Sequence, residues 1–156
     1  MELTISKMTV EDLDLIAKNL NKDFDSFWTY SIFKSELENS NSKYIVAKQN
    51  SEIVGFAGIW IAIDVAHITN IVVKKDMRKN GIGSLLLQEL INMCKKLKLN
   101  EITLEVSEKN SAAIHLYQNF GFKQVGLRKK YYKNGDNAII MNIEKIYKIY
   151  LWKGWI

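Results

Sequence analysis

The chain has 156 residues, 47% of them hydrophobic, with a formal net charge of +5, one cysteine and no proline. This length allows one well-buried core and is too short for two ordinary domains. The single cysteine, Cys94, excludes an intramolecular disulfide and a cysteine-based zinc cluster, and two histidines far from it predict no metal site.

The hydropathy and charge of the chain restrict its location and partners. No stretch reaches the roughly 18 apolar residues of a membrane span, and the N-terminus lacks the basic start of a signal peptide. We therefore expect a soluble, cytoplasmic protein with no membrane partner. The positive charge favours an acidic partner, and nucleic acid, a phosphorylated cofactor or an anionic surface would each satisfy it.

The first half predicts strands with two helices near the N-terminus. Residues 3–8 (LTISKM) alternate as in a strand, and Thr9 then stands three residues before Asp12, which is the spacing of a capping box. Residues 26–39 (SFWTYSIFKSELEN) predict a second, shorter helix. Three more strands are predicted over residues 43–49, 52–63 and 67–75.

The second half alternates strands and helices. Apolar residues at 82, 85, 86, 90, 93, 94 and 97 predict a long helix, and residues 101–108 alternate strictly as a strand. A helix over residues 111–120 is capped by Asn110. Residues 129–144 predict a hairpin with a type I′ turn at Asn134–Gly135. This order predicts an α/β protein, with one mixed sheet covered by helices.

Two glycines, Gly81 and Gly83, stand between the predicted fourth strand and the long helix. Strand, glycine turn and helix form the arrangement in which free N–H groups and a helix N-terminus face an anion, and Arg78 and Lys79 add positive charge. The turn is no Walker motif, and Leu86 stands where a dinucleotide fingerprint needs a small residue. The local sequence therefore favours a pyrophosphate, with a plain tight turn as the alternative.

Arg78, Gly81 and Gly83 after ITNIVV resemble the acetyl-CoA motif of the GCN5-related N-acetyltransferases (GNAT). The segments WTYSIFKSEL, IVGFAGIW, AHITNIVV, ITLEVSEKNSAAIHLYQNFGF and NAIIM follow the order of the ribosomal-protein-alanine N-acetyltransferase branch, over almost the whole chain. The resemblance implies one GNAT domain over residues 1–156, with 146–156 as a possible C-terminal extension. It also implies a mostly antiparallel mixed sheet that is splayed where acetyl-CoA binds.

The resemblance also implies which residues hold acetyl-CoA, with no metal. The backbone of the fourth strand would pair with the pantetheine arm, and one of its amides would polarise the thioester carbonyl. The turn after it would hold the pyrophosphate. The implied residues are Ile71, Val72, Val73, Arg78, Lys79, Asn80, Gly81, Ile82, Gly83, Ser84 and Asn110.

Two residues are candidates for proton transfer. Glu105 lies on the face of its strand opposite Leu104 and Val106, where it could line a cleft or simply be exposed. Tyr117 shares a helix face with Ala113 and could be a core residue or a proton donor. By resemblance, Glu105 corresponds to the family's proton acceptor and Tyr117 to its general acid.

The sequence indicates the residues that bind the acceptor substrate less clearly than those that bind acetyl-CoA. His67 could border the acceptor cleft, and the basic run from 128 to 132 could be a solvated edge strand or could touch nucleic acid. The resemblance places Tyr131 and Tyr132 beside an acceptor peptide. Val65 and Ser107 depart from residues common in the branch, which leaves the peptide specificity open.

The resulting prediction is an enzyme that uses acetyl-CoA to acetylate the N-terminal α-amine of a protein. The expected acceptor is a small-subunit ribosomal protein beginning with alanine, with no nucleic acid required. One alternative keeps the chemistry but takes a small amine or an antibiotic as acceptor. A second is a non-catalytic module that binds acetyl-CoA or RNA. The aromatic and basic C-terminus, residues 145–156, could cover the core, dock a partner or partly cover the cleft.

Overall fold

The protein, here a computed structural model, is described for residues 2–19, 24 and 30–148. The strands of this part are β1 (Leu3–Lys7), β2 (Ser42–Gln49), β3 (Glu52–Ala62), β4 (Val65–Val73), β5 (Glu101–Ser107), β6 (Lys123–Arg128) and β7 (Ala138–Glu144). Its α-helices are α1 (Val10–Lys18), α2 (Tyr30–Glu38), α3 (Ile82–Lys96) and α4 (Ser111–Asn119), with short 3₁₀ helices over Lys75–Met77 and Ile146–Lys148.

These strands form one sheet in the order β1-β2-β3-β4-β5-β7-β6. Each neighbouring pair is antiparallel except β4 and β5, which are parallel. The mixed, mostly antiparallel α/β sheet that the sequence predicted is therefore confirmed. Among the described residues, no helix is long and apolar enough to cross a membrane.

The sheet separates two apolar cores. On one face, α3 buries Leu86 and Leu90 completely, together with Cys94, against strands β2 to β4. Full burial of one such leucine contributes about 1.5–3 kcal/mol. On the other face, α1 and α2 contribute Leu13 and Phe33 to a second cluster. The sheet thus carries α3 and α4 on one face and α1 and α2 on the other.

Several local predictions are confirmed. The capping box of α1 forms, because the Asp12 N–H donates to Thr9 Oγ1 at 3.1 Å and the Thr9 N–H donates to Asp12 Oδ2 at 2.9 Å. Cys94 is a buried core residue, and burial raises the pKa of its thiol to about 12. The predicted start of the second helix and the C-terminal segment from 149 onward lie outside the described residues.

The predicted hairpin over residues 129–144 is wrong in its first strand and in its turn. The strand that pairs with β7 is β6, and residues 129–137 form a connecting loop. A type I′ turn needs positive φ at both central residues, but of the pair only Gly135 has one, at 87°. The Asn134 side chain instead accepts a hydrogen bond from the N–H two residues later at 2.9 Å. Such a local bond stabilises an Asx turn within a longer loop.

Gly58 determines how the middle of the sheet packs. It is paired with Tyr44 on β2 and with Asn70 on β4. A Cβ atom at Gly58 would lie 2.2 Å from the Tyr44 ring, so the ring lies directly over the β3 backbone. The Tyr44 hydroxyl reaches the Thr69 hydroxyl on β4 at 3.1 Å. A glycine on β3 therefore lets a residue of β2 contact β4.

We predict that Gly58→Ala destabilises the protein by about 1–3 kcal/mol, because the added methyl overlaps a ring that is buried and has little room to move. Gly83→Ala is the matched control. Its Cβ would meet other side chains only at 3.7 Å or more, and alanine is favoured over glycine in a helix by about 1 kcal/mol. Urea unfolding of both variants measures the difference. A Gly58→Ala protein as stable as the wild type would contradict this packing.

Candidate functional site

The strands β4 and β5 separate soon after they meet. Their parallel pairing covers three residue pairs, from Val65–Glu101 to His67–Thr103. Beyond it, β4 remains paired with β3, and β5 remains paired with β7. The register with β3 shifts at this point, since Ile59 pairs with Ile68 while Gly58 pairs with Asn70, so β4 has a bulge at Thr69. We call the gap that follows the β4–β5 opening.

The β4 backbone directs hydrogen-bonding groups into this opening. The Lys74 N–H donates to Val54 O on β3 at 2.8 Å. Because successive residues of an antiparallel strand direct these groups to opposite sides, Val72 also faces β3, whereas Ile71 and Val73 face the opening. The Arg78 Nε donates to Val73 O at 3.1 Å. The opening therefore offers an edge to which an extended chain could be added.

The turn between β4 and α3 has the conformation of an anion site. Lys79 and Gly81 adopt left-handed φ angles of 65° and 80°. The Asn80 Nδ2 donates to two carbonyls of the turn, at 3.0 and 3.2 Å. Gly81 is the N-cap of α3 and supplies no side-chain bond, and the first helical bond is Leu85 N–H to Gly81 O at 3.1 Å. The N–H groups of residues 82–84 are therefore left for an anion.

The two glycines of this turn have different explanations. Gly81 needs its left-handed conformation, and an added Cβ would meet nothing within 4 Å. Gly83 is helical, and its Cβ would make ordinary contacts at 3.7 and 3.9 Å with Leu116 and Val73. Steric requirements within the protein therefore account for Gly81 and not for Gly83.

Glu105 lies on β5 beside the opening. It alternates with Leu104 and Val106, which are buried against α3, so its side chain is on the α1–α2 face of the sheet. The side chain is 18% exposed, and its Oε1 accepts an ion-pair hydrogen bond from Arg128 Nε at 3.0 Å. The Tyr131 hydroxyl also bonds this carboxylate, which raises the pKa of Tyr131. Glu105 is thus a charged group held between two donors.

Tyr117 is contributed by α4 from the other face. It is buried, and its ring packs against Phe122 with centroids 5.8 Å apart. Burial, with a smaller effect of Tyr132, raises the pKa of its phenol to about 12. The helix begins at Asn110, whose Oδ1 accepts from the Ala113 N–H at 3.1 Å. The side-chain oxygen of Asn110 is therefore engaged in capping α4.

The remaining candidate residues lie close to Glu105. Burial lowers the pKa of His67, although the Glu105 carboxylate opposes this effect, and Arg128 adds to it. Burial and the same carboxylate raise the pKa of Tyr132. At neutral pH the His67 imidazole is therefore neutral and the three phenols are protonated.

The structure brings together five residues that the sequence singled out and one that it did not. The sequence placed Arg128 in an exposed basic run. It lies at the end of β6, where it pairs with Glu105 and stacks 5.7 Å from the Tyr131 ring centroid. The edge strand expected over residues 128–132 is confirmed only for Arg128, the last residue of β6, and no sequence pattern indicated that its side chain meets Glu105. The six side chains are His67, Glu105, Tyr117, Arg128, Tyr131 and Tyr132.

A metal centre and a surface groove are the two alternative kinds of site. Within residues 2–19, 24 and 30–148, no group of three His, Cys, Asp or Glu residues could hold a metal ion. A groove of about 520 Å³ runs between the end of β1, α2 and α3, with Tyr44, Glu89 and Met93 in its wall. It contains none of the six clustered side chains, which lie at the β4–β5 opening.

Comparison with known proteins identifies the fold and the chemistry. Residues 12–122 match the profile of the acetyltransferase (GNAT) family. The ribosomal protein bS18-alanine N-acetyltransferase of Escherichia coli is 33% identical over 144 residues, 88% of this chain and 95% of its own. A Bacillus subtilis protein whose name proposes the same activity is 37% identical over 139 residues, 88% of this chain and 92% of its own.

The fold agrees with these sequence relations. The crystal structure of the ribosomal-protein-S18-alanine N-acetyltransferase from Escherichia coli superposes with a TM-score of 0.85 at 30% identity. The superposition covers 92% of this chain and 94% of that one. Both the matched profile and these relatives span most of the chain. The chain therefore belongs to the acetyltransferase (GNAT) family, whose members use acetyl-CoA, and it is an N-acetyltransferase.

Proposed function

We propose that this enzyme acetylates the N-terminal α-amine of a protein, and that its acceptor is a small-subunit ribosomal protein beginning with alanine. The observation that carries the proposal is the position of Glu105, a carboxylate beside the β4–β5 opening with two tyrosines of the 129–137 loop next to it. The named activity of the Escherichia coli relative supports this choice of acceptor. We expect the reaction in the cytoplasm, without a requirement for nucleic acid or a membrane.

The residues around the opening fit acetyl-CoA. When bound, acetyl-CoA supplies the acetyl group as a reactive thioester. The outward-facing backbone groups of Ile71 and Val73 can pair with an extended, amide-containing arm, and one such N–H can stabilise a developing oxyanion. The uncapped N-terminus of α3, with Lys79 beside it, suits a pyrophosphate. The backbone groups of Val72 face β3, so Val72 does not form hydrogen bonds with acetyl-CoA. It contributes only by holding Ile71 and Val73 in place on either side of it.

Glu105 is assigned as the proton acceptor for the incoming amine. An α-amine has a pKa of about 7.7–8.0, against about 10.4 for lysine, so only modest help frees its lone pair. A carboxylate offers about four lone-pair sites. Arg128 and Tyr131 therefore leave Glu105 able to accept a further hydrogen bond from an ammonium group, and Arg128 holds the carboxylate in its orientation.

Tyr117 is assigned as the donor to the leaving sulfur. With a pKa of about 12, its phenol stays protonated across the physiological range. A thiol has a pKa of about 8.5, so the phenol stabilises a thiolate by donating a hydrogen bond more readily than by losing its proton. Its burial among apolar residues strengthens that bond. His67, Tyr131 and Tyr132 would border the acceptor on the opposite face.

The roles assigned to Glu105 and Tyr117 predict that their substitution causes a specific loss of turnover. Glu105→Gln should lower kcat/KM for an alanine-initiated peptide roughly 10²- to 10⁴-fold, and Tyr117→Phe roughly 10²-fold, because each removes one proton-transfer or hydrogen-bond step. His115→Gln, an exposed position on the same helix as Tyr117, is the control and should have wild-type activity. Acetyl-CoA affinity, measured by calorimetry, should be unchanged in all three.

The pH profile tests the same assignment. Since the Tyr117 phenol has a pKa of about 12, it does not ionise in the working range. The rate should rise as the α-amine loses its proton near pH 8 and then stay level to at least pH 9.5. A falling limb below pH 9.5 that is absent in Tyr117→Phe would contradict the assignment, as would a Glu105→Gln enzyme within threefold of wild type.

The acceptor class is tested by release of free CoA with three acceptors. These are a peptide with a free N-terminal alanine, a lysine-containing peptide whose N-terminus is blocked, and a polyamine. We expect turnover with the first alone, because its amine is the least basic and carries an adjacent peptide group. Turnover with the polyamine alone would retain the chemistry and reject the proposed acceptor. Tight acetyl-CoA binding without turnover on any acceptor would favour a binding module.

A further inference from the structure

Asn70 on β4 has a buried amide that makes no hydrogen bond of good geometry. Its Nδ2 and Oδ1 are both buried, and neither makes a hydrogen bond of acceptable geometry within the part of the chain that the structure describes. Leaving such a group unsatisfied costs about 1–3 kcal/mol, and buried polar groups in folded proteins are rarely left so. The residue as a whole is only half-buried. Since the amide atoms themselves are shielded, a rotation of the side chain at the opening would bring them to a molecule that comes from outside.

The sheet holds this amide in place. Asn70 pairs with Gly58 on β3, over which the Tyr44 ring lies. The Tyr44 hydroxyl bonds to Thr69 at 3.1 Å, and a weaker polar contact with the Asn70 side chain opposes the rise that burial causes in the pKa of Tyr44. Because Gly58 has no side chain, the Tyr44 ring can lie across β3 and contact the bulged part of β4 from one side. Asn70 is thus fixed by residues of three strands.

Asn70 and Glu105 lie on the same face of the sheet, on the two walls of the opening. His67 is opposite Thr103 where the strands last pair. Without a bulge, Thr69 would be the next β4 residue on the face of Glu105. The extra residue at the bulge changes the alternation, so Asn70 takes that face together with Val72, which packs in the α1–α2 cluster. An acceptor amine held by Glu105 therefore has the Asn70 amide across the opening from it.

We propose that the Asn70 carboxamide binds the first peptide group of the acceptor and thereby selects an N-terminal α-amine over a side-chain amine. A carboxamide has both a donor and an acceptor, which complement the C=O and N–H of a peptide group. In an α-amine the peptide carbonyl is one carbon away from the reacting nitrogen, while a lysine ε-amine is separated from any peptide group by its four-carbon stem. The selection rests on the proposed function.

The chemistry explains why discrimination would be strong. A site with a buried polar group rejects a ligand that leaves the group unpaired far more effectively than an apolar pocket rejects a change of size. An amine without an adjacent peptide group would leave Asn70 unpaired while Glu105 is engaged. Asn70 is therefore an acceptor-binding residue in this proposal and takes no part in proton transfer.

The test compares Asn70→Leu with Asn142→Leu, the same substitution at an asparagine of β7 whose amide is already bonded to Glu101 at 2.9 Å. The acceptors are a peptide with a free N-terminal alanine and isopropylamine, which carries a methyl group in place of the peptide carbonyl. We expect Asn70→Leu to lower the ratio of kcat/KM for peptide over isopropylamine about 10- to 100-fold. Asn142→Leu should leave that ratio within threefold of wild type.

Stability gives a second readout that separates binding from structure. Removing an unpaired buried amide should keep or raise the unfolding midpoint of Asn70→Leu, while breaking the Asn142–Glu101 bond should lower that of Asn142→Leu. Acetyl-CoA affinity should be unchanged in both variants. The proposal is overturned if Asn70→Leu keeps the wild-type acceptor ratio, or if its main effect is weaker acetyl-CoA binding.

The proposal can also be separated from the proposed function. Calorimetry of the alanine peptide with the CoA-loaded protein needs no turnover. Binding by the wild type that is lost in Asn70→Leu supports the role of Asn70 even if the enzyme works faster on a different amine. Equal binding by both proteins, or no binding by either, rejects it.

Discussion

The separation of β4 from β5 after three residue pairs is the constraint on which the rest of the site depends. A sheet interior normally satisfies every backbone donor and acceptor, yet here the Ile71 and Val73 groups face a gap. The parallel pairing ends just before the bulge at Thr69, which redirects β4, while β4 stays paired with β3 and β5 with β7 along their other edges. The gap is therefore set by strand pairings that lie on both sides of it.

The opening is also where the two faces of the sheet meet. Glu105 and Asn70 face the side of α1 and α2, whereas Tyr117 comes from α4 on the side of α3. The proposed proton acceptor and the proposed donor to the leaving sulfur are thus presented from opposite faces. The Arg128 guanidinium balances the carboxylate. His67 stays neutral because burial lowers its pKa.

Local sequence patterns were enough to predict the parts of the site that depend on one element. Glu105 was placed correctly on its strand because that strand alternates strictly, and the turn at Gly81 was recognised because a long amphipathic helix follows it. The capping box at Thr9 was likewise a local signal. What these residues bind or catalyse came from family resemblance and stays a prediction.

The parts that were missed depend on contacts between distant elements. Arg128 belongs to an edge strand whose residues are almost all exposed, so no alternation marked it. The bulge at Thr69 and the orientation of Asn70 depend on Tyr44 and Gly58 of two other strands. In the 129–137 loop, side-chain bonds of Asn134 outweighed the hairpin tendency of Asn-Gly.

The most direct test of this account is residue-resolved amide hydrogen exchange of β4 with and without acetyl-CoA. If the cofactor arm adds to the β4 edge, exchange at Ile71 and Val73 should slow on binding, while Val72, which already faces β3, should change little. This internal control distinguishes pairing at the edge from a general stabilisation of the fold. Unchanged exchange at Ile71 and Val73, with protection appearing instead around Tyr44 and Met93 in the groove beside β1, would contradict it.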